Sequence, residues 1–130
     1  MFSESTDAIT VTVKPVYLKE HSAPEQARFV WAYLVKIENA GDETVQLMNR
    51  HWTITDGLGR QEEVHGPGVV GEQPVLSPGE SYEYTSNCPL STPSGFMVGS
   101  YDMVADDGRR FAVRIPLFSL DTPDAVTQIH

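Results

Sequence analysis

The sequence has few cysteines, few basic residues and no long apolar run, and each shortage argues against a class of protein. Cys88 is the only cysteine among 130 residues, so no disulfide can form within the chain. Nine lysines and arginines against 18 acidic residues leave a net charge of −9, which repels phosphate backbones and anionic lipid. No apolar run approaches the roughly 20 residues of a membrane helix, and the acidic first residues do not resemble a secretion signal. We therefore expect a cytoplasmic protein that binds neither nucleic acid nor membrane.

Helical periodicity is also missing, and alternating apolar residues take its place. Ile9, Val11 and Val13 alternate with polar residues, which is typical of a half-buried strand. Pro15 follows and cannot donate to a ladder, so we expect an edge or a bulge there. Residues 29–37 are apolar on both faces, which favours a central strand. Residues 1–8 and 124–130 are polar and are predicted to be flexible tails around a core of about 9–123.

The alternation changes phase between two parts of the middle strand. Val45 and Leu47 are apolar at odd positions, whereas Trp52 and Ile54 are apolar at even positions. A bulge near residues 49–50 would produce that change, because it adds one unpaired residue.

Glycine and proline turns separate seven or eight predicted strands, including hairpin turns at residues 56–59 and 106–108. Residues 87–89 and 91–95 are predicted to form a long irregular connection. A single all-β domain of 130 residues follows, built as an immunoglobulin- or fibronectin-type-III-like sandwich of two antiparallel sheets. A small closed barrel is the alternative architecture.

The glycine-rich segment at residues 66–71 has the letters of a dinucleotide-binding loop. Gly66, Gly68 and Gly71 match the spacing G-x-G-x-x-G, which in such folds opens a helix whose N-terminus holds a pyrophosphate. Pro67 removes one N–H donor, and Glu72 places negative charge where a phosphate would approach. The pattern therefore favours a tight loop between strands, with nucleotide binding as the alternative.

Two histidines and two glutamates offer a weak metal site. If residues 56–59 close a hairpin, His51 lies nearly opposite Val64 and therefore close to His65. Adjacent strand residues point to opposite faces, so this register does not require the two imidazoles to converge with Glu62 or Glu63. Zinc sites need three or four ligands, and no short motif such as H-x-H occurs.

No catalytic set is recognisable in the chain. Cys88 has no neighbouring base or positive charge and is predicted to be structural. There is no G-x-S-x-G motif and no carboxylate pair with a telling spacing, although a triad assembled from distant segments stays open. Trp31 and Trp52 are predicted to lie in or near the core. We predict no enzymatic activity and no cofactor.

Several long segments resemble the bacterial ApaG family, also called CorD. The longest are RHWTITD at residues 50–56 and GPGVVGEQP at residues 66–74. Shorter matches lie at residues 17–18, 29–33, 45–47, 63–64, 84–86, 90, 92–93, 95–97 and 115–118. The resemblance covers roughly residues 9–123. It implies a fibronectin-III-like sandwich without an established enzymatic activity, and a link to cobalt resistance and magnesium efflux.

The same resemblance implies a gene that often neighbours a dinucleoside tetraphosphate hydrolase, and related domains with interaction roles in eukaryotic proteins. We therefore predict a non-enzymatic binding module, monomeric or dimeric, with an unidentified protein partner. The predicted binding surface combines the loop at residues 66–74 with its neighbours on the strand before it. Its residues are Arg50, His51, Trp52, Gly66, Gly68, Gly71 and Gln73. The alternative is binding of a divalent cation, through His51 and His65, or binding or hydrolysis of a dinucleoside polyphosphate at the glycine loop.

Overall fold

The computed structural model describes residues 1–123 and is built almost entirely from β-strands. Two single-turn 3₁₀ helices, Lys19–His21 and Pro24–Gln26, lie between the second and third strands. The strands are β1 Phe2–Thr6, β2 Ile9–Tyr17, β3 Phe29–Asn39, β4 Val45–Asp56, β5 Gln61–Pro67, β6 Val75–Leu76, β7 Ser81–Leu90, β8 Ser94–Ala105 and β9 Arg110–Asp121. No helix in this part of the chain has the length and hydropathy required to cross a bilayer.

The strands form two antiparallel sheets, as predicted from the alternating pattern. One sheet has the order β1-β2-β3-β7, and the other has the order β5-β4-β8-β9 with β6 added beside β4. Strand β9 lies close to β1, where Arg114 pairs with Glu4 and its N–H donates to the Thr6 hydroxyl. No ladder joins the two sheets among the described residues, so the sandwich and not the closed barrel is the architecture. The opposite side, between the edge strands β5 and β7, is open.

The core lies between the sheets and follows the two-residue period of the strands. Apolar side chains point inward at alternate positions, and each large one contributes roughly 1.5–3 kcal/mol when fully buried. The largest fully buried side chains are Trp31, Tyr101, Phe118, Ile37, Leu47, Met97, Met103, Ile115 and Leu120. Trp31 also donates its indole N–H to the Asp121 carbonyl oxygen, so its one polar atom is satisfied.

The prediction of a flexible N-terminal tail is wrong, because Phe2–Thr6 forms β1 and pairs with β2. Hydroxyl pairs hold the polar face of this strand, with Ser5 and Thr10 oxygens 2.8 Å apart. On the inner face, Phe2 packs against Phe118. The residues of this strand are mostly polar and give no apolar pattern, because cross-strand pairs, the contacts with Arg114 and the packing of Phe2 stabilise it. The predicted C-terminal tail, residues 124–130, lies outside the described residues.

The edge predicted as one of two possibilities at Pro15 is confirmed, whereas the irregular connection predicted at residues 87–89 is wrong. Strand β2 runs through Pro15 without a register shift, and β1 ends opposite Val13, so Pro15 has a paired strand on one side only. Residues 87–89 belong to β7, which pairs with β3 as far as Leu90. The connection to β8 is therefore short. Proline is tolerated in both places because β7, like this end of β2, has an unpaired edge.

The predicted bulge in β4 is present, one residue earlier than expected. Leu47 pairs with Met103 and Asn49 pairs with Asp102, so Met48 is the extra residue. After the bulge the even positions face the core, which buries Trp52 and turns His51 to the outer surface. This change of face determines which residues are available for binding.

Candidate functional site

The β4–β5 hairpin brings two histidines together on the outer face of the second sheet. The turn at residues 56–59 pairs His51 directly with His65, not with Val64 as the sequence suggested. A shift of one residue reverses the face of every side chain on β5. The two imidazoles therefore lie on the same face and converge, which the predicted register did not require. Their ring centroids are 4.2 Å apart and the planes are tilted by only 11°.

A carboxylate completes this group, which we call the histidine cluster: His51, Glu63 and His65. Glu63 lies two residues before His65 and therefore on the same face. Its two oxygens are 3.9 Å from Nε2 of His51 and 3.8 Å from Nε2 of His65. One potential ligand atom from each of the three residues lies within 4.8 Å of the others. Glu62, the other candidate carboxylate, points to the opposite face and lines the space between the sheets.

Nε2 of His51 is the unusual atom of the histidine cluster. It is inaccessible to solvent and has no hydrogen-bond partner within residues 1–123. Leaving a buried polar atom unsatisfied costs roughly 1–3 kcal/mol, so a water or a metal ion at this nitrogen would be favourable. The His51 imidazole therefore activates no hydroxyl through Nε2 in this geometry. Ser100, its neighbour across β8, is not positioned as a nucleophile by it.

A second acidic group, Glu43, Asp106 and Asp107, also brings three potential metal ligands together. Arg109 already occupies that position: its guanidinium is 2.9 Å from Glu43 and 3.4 Å from Asp107. A cation there would have to displace the arginine. Within residues 1–123, the ion pairs of the histidine cluster join only its own members, and the nearby Arg50, which borders the same depression, is not part of them.

Arg50 and Trp52 lie on the other face of β4 from His51. Trp52 is 2 % exposed and packs edge-on against Tyr33 and Phe118. Arg50 extends over Gly66, where Nη1 donates to the carbonyl oxygens of Pro67 and Gly68. The three consecutive residues therefore do not form one exposed surface, because successive strand residues alternate between faces.

Each glycine of the G-x-G-x-x-G segment has a structural role. A Cβ on Gly66 would lie 2.8 Å from Nη1 of Arg50, so the glycine makes room for the guanidinium. Gly68 has φ +63°, and a Cβ there would overlap the Glu72 carbonyl oxygen. Gly71, at φ +83°, occupies the second central position of a turn whose first central residue, Val70, has φ +43°. Positive φ at both positions is the type I′ pattern.

The loop is bound to β4 through the bulge at Met48. The Met48 carbonyl oxygen accepts hydrogen bonds from the Gly68 N–H and from the Gln73 side-chain amide, at 2.8 and 2.9 Å. Gln46 in turn donates to the Gln73 carbonyl oxygen. No helix follows the loop, and the N–H groups of Gly68, Val69 and Glu72 are used in backbone hydrogen bonds. The segment therefore lacks the geometry with which dinucleotide folds bind pyrophosphate.

Cys88 is a structural residue, as predicted. Its side chain is buried between the sheets, and burial together with the negative charge of Glu62 raises the pKa of the thiol to about 11. The sulfur is therefore protonated at neutral pH, whereas a nucleophilic cysteine needs a lowered pKa.

Comparison with known proteins places this architecture in a family. The sequence profile of the ApaG domain matches residues 19–105. The chain belongs to the ApaG family. Protein ApaG of Rhodospirillum centenum is 67 % identical over 123 residues, which cover 95 % of each chain. Protein ApaG of Parvibaculum lavamentivorans is 54 % identical over 130 residues and the full length of both chains.

A solved ApaG-family structure agrees with the fold described above. The ApaA protein from Bordetella pertussis superposes with a TM-score of 0.87 at 48 % identity, covering 95 % of this chain and 98 % of that one. The family resemblance seen in the sequence is thus confirmed, and so is the all-β fold. The ApaG name states no reaction and no ligand, so function has to be argued from the site.

Proposed function

We propose that this ApaG protein is a binding module whose ligand is a divalent transition-metal ion held by His51, Glu63 and His65. The observation that carries the proposal is the direct cross-strand pairing of the two histidines, with their Nε2 atoms under 4 Å from one carboxylate. Imidazole nitrogen and carboxylate oxygen are ligands that suit cobalt, nickel, copper and zinc. Three protein ligands leave a coordination position for water or for a further ligand.

The cluster can close around an ion with small side-chain movements. The three potential ligand atoms lie within 4.8 Å of one another. Because metal–nitrogen and metal–oxygen distances are about 2.0–2.2 Å, these atoms would have to move closer together to bind one ion. His65 and Glu63 have exposed side chains, 65 % and 64 %, so their rotamers can adjust without disturbing the core. His51 is less exposed and supplies the fixed position. Such a site is built on rigid strands but open to exchange with solvent.

The charge of the protein favours a cation at this position. The net charge is −9, and the depression of the outer face that holds the two histidines is bordered by Asp102 as well as by Arg50, whose guanidinium donates to backbone carbonyl oxygens of the loop. A negative surface raises the local cation concentration and the rate of association. The family link to cobalt resistance, which the sequence resemblance implies, supports a transition metal. Magnesium prefers oxygen ligands and several retained waters, so this site suits it poorly.

Calorimetric titration with Co²⁺ tests the proposal. We expect one ion per chain, with the heat abolished by His51→Ala or His65→Ala. His21→Ala is the matched control, because His21 is exposed in the Lys19–His21 helix. Circular dichroism verifies that each variant is folded. No heat at millimolar Co²⁺, or unchanged binding by both cluster variants, would remove the basis of the proposal.

A second candidate function is protein–protein interaction through the loop at residues 66–74, and Val70 favours it. Val70 is a β-branched residue held at φ +43°, with 55 % of its side chain exposed at the tip of the turn. Positive φ is costly for such a residue, and strained positions cluster at binding sites. Val75, also exposed, lies just beyond the loop. A partner captured by the wild type and not by a folded Val70→Asn variant supports this function. Equal capture by both excludes Val70 from the contact.

We propose no catalytic activity. Cys88 is protonated, Nε2 of His51 has no hydroxyl partner, and the glycine loop uses its N–H groups internally. Hydrolysis or binding of a dinucleoside polyphosphate at this loop therefore has no geometric support. The open edges of β5 and β7 are compatible with either a monomer or a dimer formed by strand pairing.

A further inference from the structure

The open side of the sandwich contains a cleft that none of the residues of the histidine cluster line. It lies between the edge strands β5 and β7 and has a volume of about 280 Å³. The histidine cluster is on the outer face of the same hairpin, so the two sites are separated by the thickness of one sheet. The cleft is just below the usual size of small-molecule pockets, roughly 300–1,000 Å³, and has room for a molecule with a single ring.

One wall of the cleft is apolar, and polar side chains, Asn87 among them, form much of the opposite wall. Trp52 and Met97 form a buried wall with exposures of 2 % and 1 %, and Val64 and Ile54 border it from the β4–β5 hairpin. Opposite them, β3 and β7 contribute the polar side chains of Tyr33 and Ser86. An apolar pocket with a few convergent polar groups is the usual composition of a ligand site.

Arg50 supplies a positive charge at one end of the cleft. Burial raises the pKa of the Tyr33 and Tyr84 hydroxyls, and the positive charge of Arg50 opposes this in a small part, so the guanidinium acts on the space between the sheets. Within residues 1–123, no ion pair includes Arg50, and its hydrogen bonds are made through Nη1 alone. A half-buried guanidinium without a carboxylate is a favourable partner for an anion, because charge-assisted bidentate pairs are strong.

Glu62 limits the kind of anion that fits. It pairs with Ile54, four residues along β4 from Arg50, which corresponds to about 13 Å at the spacing of an extended strand. The cleft therefore has a cation at one end and a carboxylate at the other. A ligand with two or more negative charges would be repelled at the Glu62 end, and so would a nucleotide. A single carboxylate bound by Arg50 leaves the rest of the molecule in apolar surroundings.

We propose that this cleft binds a small aromatic monocarboxylate, with its carboxylate on Arg50 and its ring against Trp52, Val64 and Met97. Gly66 makes the arrangement possible. A Cβ at that position would lie 2.8–3.0 Å from the guanidinium atoms and would move the cation out of place. The two proposed sites thus lie on opposite faces of the β-hairpin and share no ligating residue, although Arg50 borders both.

Titration of ¹⁵N-labelled protein with 3-phenylpropionate, followed by NMR, tests this proposal. The molecule has two tryptophans, of which Trp52 lines the cleft and Trp31 does not. We expect the Trp52 indole and the amides of Ser86 and Cys88 to shift, while the Trp31 indole, bonded to the Asp121 carbonyl, serves as the internal reference. Phenylpropylamine, a cation with the same ring, should not bind.

Variants distinguish a charge-specific site from a general apolar contact. Arg50→Gln should weaken 3-phenylpropionate at least about tenfold, and the exposed control Arg28→Gln should not change it. Val64→Phe, which fills the cleft and keeps Arg50, should also abolish the shifts. Gly66→Ala tests the position of the guanidinium if Arg50→Gln loosens the loop.

Three results would overturn the proposal. The first is no shift of the Trp52 indole at about 10 mM carboxylate, because an affinity below that level is weaker than useful fragment binding. The others are equal shifts with phenylpropylamine and undiminished binding of 3-phenylpropionate by folded Arg50→Gln. His65→Ala should leave the carboxylate titration unchanged, so failure of the metal proposal and failure of this one are separable.

Discussion

The hydroxyl groups of Tyr84 and Tyr101 form a hydrogen bond across the interior of the sandwich. Tyr84 lies on β7 in the first sheet and Tyr101 on β8 in the second, and both side chains are buried. Burial raises the pKa of both phenols, so neither ionises near neutral pH. This bond is a polar link between two apolar sheet faces, and it fixes their relative position.

Removing one partner of this bond should destabilise the protein. Tyr84→Phe leaves the Tyr101 hydroxyl buried without its partner, and we expect a loss of about 1–3 kcal/mol in the free energy of unfolding. The double variant Tyr84→Phe/Tyr101→Phe should lose less than the sum of the two single variants, because no orphaned hydroxyl remains. Urea unfolding monitored by fluorescence gives all three values. Strict additivity would show that the two hydroxyls are not coupled.

Two glycines of the loop provide a matched pair for testing steric crowding. Gly68→Ala introduces a Cβ against the Glu72 carbonyl oxygen, whereas Gly71→Ala introduces one into open space. Both positions have positive φ, so both changes should cost about 1–2 kcal/mol of backbone strain. Only Gly68→Ala should cost more, because the backbone must also move. Equal thermal unfolding midpoints for the two variants would contradict the described loop conformation.

Val70→Asn should stabilise the protein. Asparagine tolerates positive φ and, followed by Gly71, forms the preferred type I′ dipeptide. Relieving the strain of a β-branched residue at φ +43° should raise the free energy of unfolding by about 0.5–1 kcal/mol. Differential scanning calorimetry measures the change, with Val75→Asn as an exposed valine control outside the turn. A lower midpoint for Val70→Asn would mean that the valine side chain makes stabilising contacts.

Asp56 should contribute to stability in a manner that depends on pH. Partial burial alone would raise the pKa of its carboxyl group, but hydrogen bonds from Arg60 and from the Leu58 N–H outweigh this and hold it below 3.8. Because the folded-state pKa is lowered, the stabilisation is complete above the unfolded-state pKa of about 3.9 and is lost as pH falls through the folded value. NMR titration of the carboxyl carbon gives this pKa, and Asp56→Asn should remove the corresponding part of the acid dependence.

Metal selectivity should follow the ligand types of the histidine cluster. Co²⁺ should raise the thermal midpoint, by roughly 3 kcal/mol of added stability at a hundredfold excess over the dissociation constant, and Mg²⁺ should not. Acidification should weaken cobalt binding because protons compete for the imidazole nitrogens. Glu63→Gln should weaken it as well, whereas Glu62→Gln, on the other face, should not. A midpoint raised equally by the two ions would indicate a nonspecific effect of charge.

Strand periodicity carried most of the information about the fold. Alternating apolar residues in β2, β3 and β9 predicted two antiparallel sheets, and the phase change between Leu47 and Trp52 predicted the bulge. The polar strand β1 escaped notice because cross-strand hydroxyl pairs, and not a clear apolar stripe, stabilise it. The predicted strand β7 is too short because Pro89 resembles a turn signal, although an edge strand accepts proline.

The sequence predicts residues of the candidate site but not their spatial arrangement. The sequence identifies the residues of the histidine cluster as candidate ligands. Their convergence depends on the hairpin register, which differs by one residue from the predicted register. The cleft around Arg50 was not foreseen, since it joins β3, β4, β5 and β7 across the sandwich. The sequence also predicts a common surface for Arg50, His51 and Trp52, but the alternation of strand side chains buries Trp52, while Arg50 still borders the depression next to His51.

The extra residue Met48 also has a consequence for protein engineering. Upstream of it, odd-numbered residues of β4 belong to the core, and downstream of it even-numbered residues do. If a hairpin from this protein were transplanted into another sandwich with the junction on the wrong side of Met48, its solvent-facing and core-facing sides would therefore be exchanged. Deleting Met48 itself would leave Leu47 directly before Asn49, so the alternation would continue with His51 outside and Trp52 inside. The loop would lose only the carbonyl oxygen to which Gly68 and Gln73 donate.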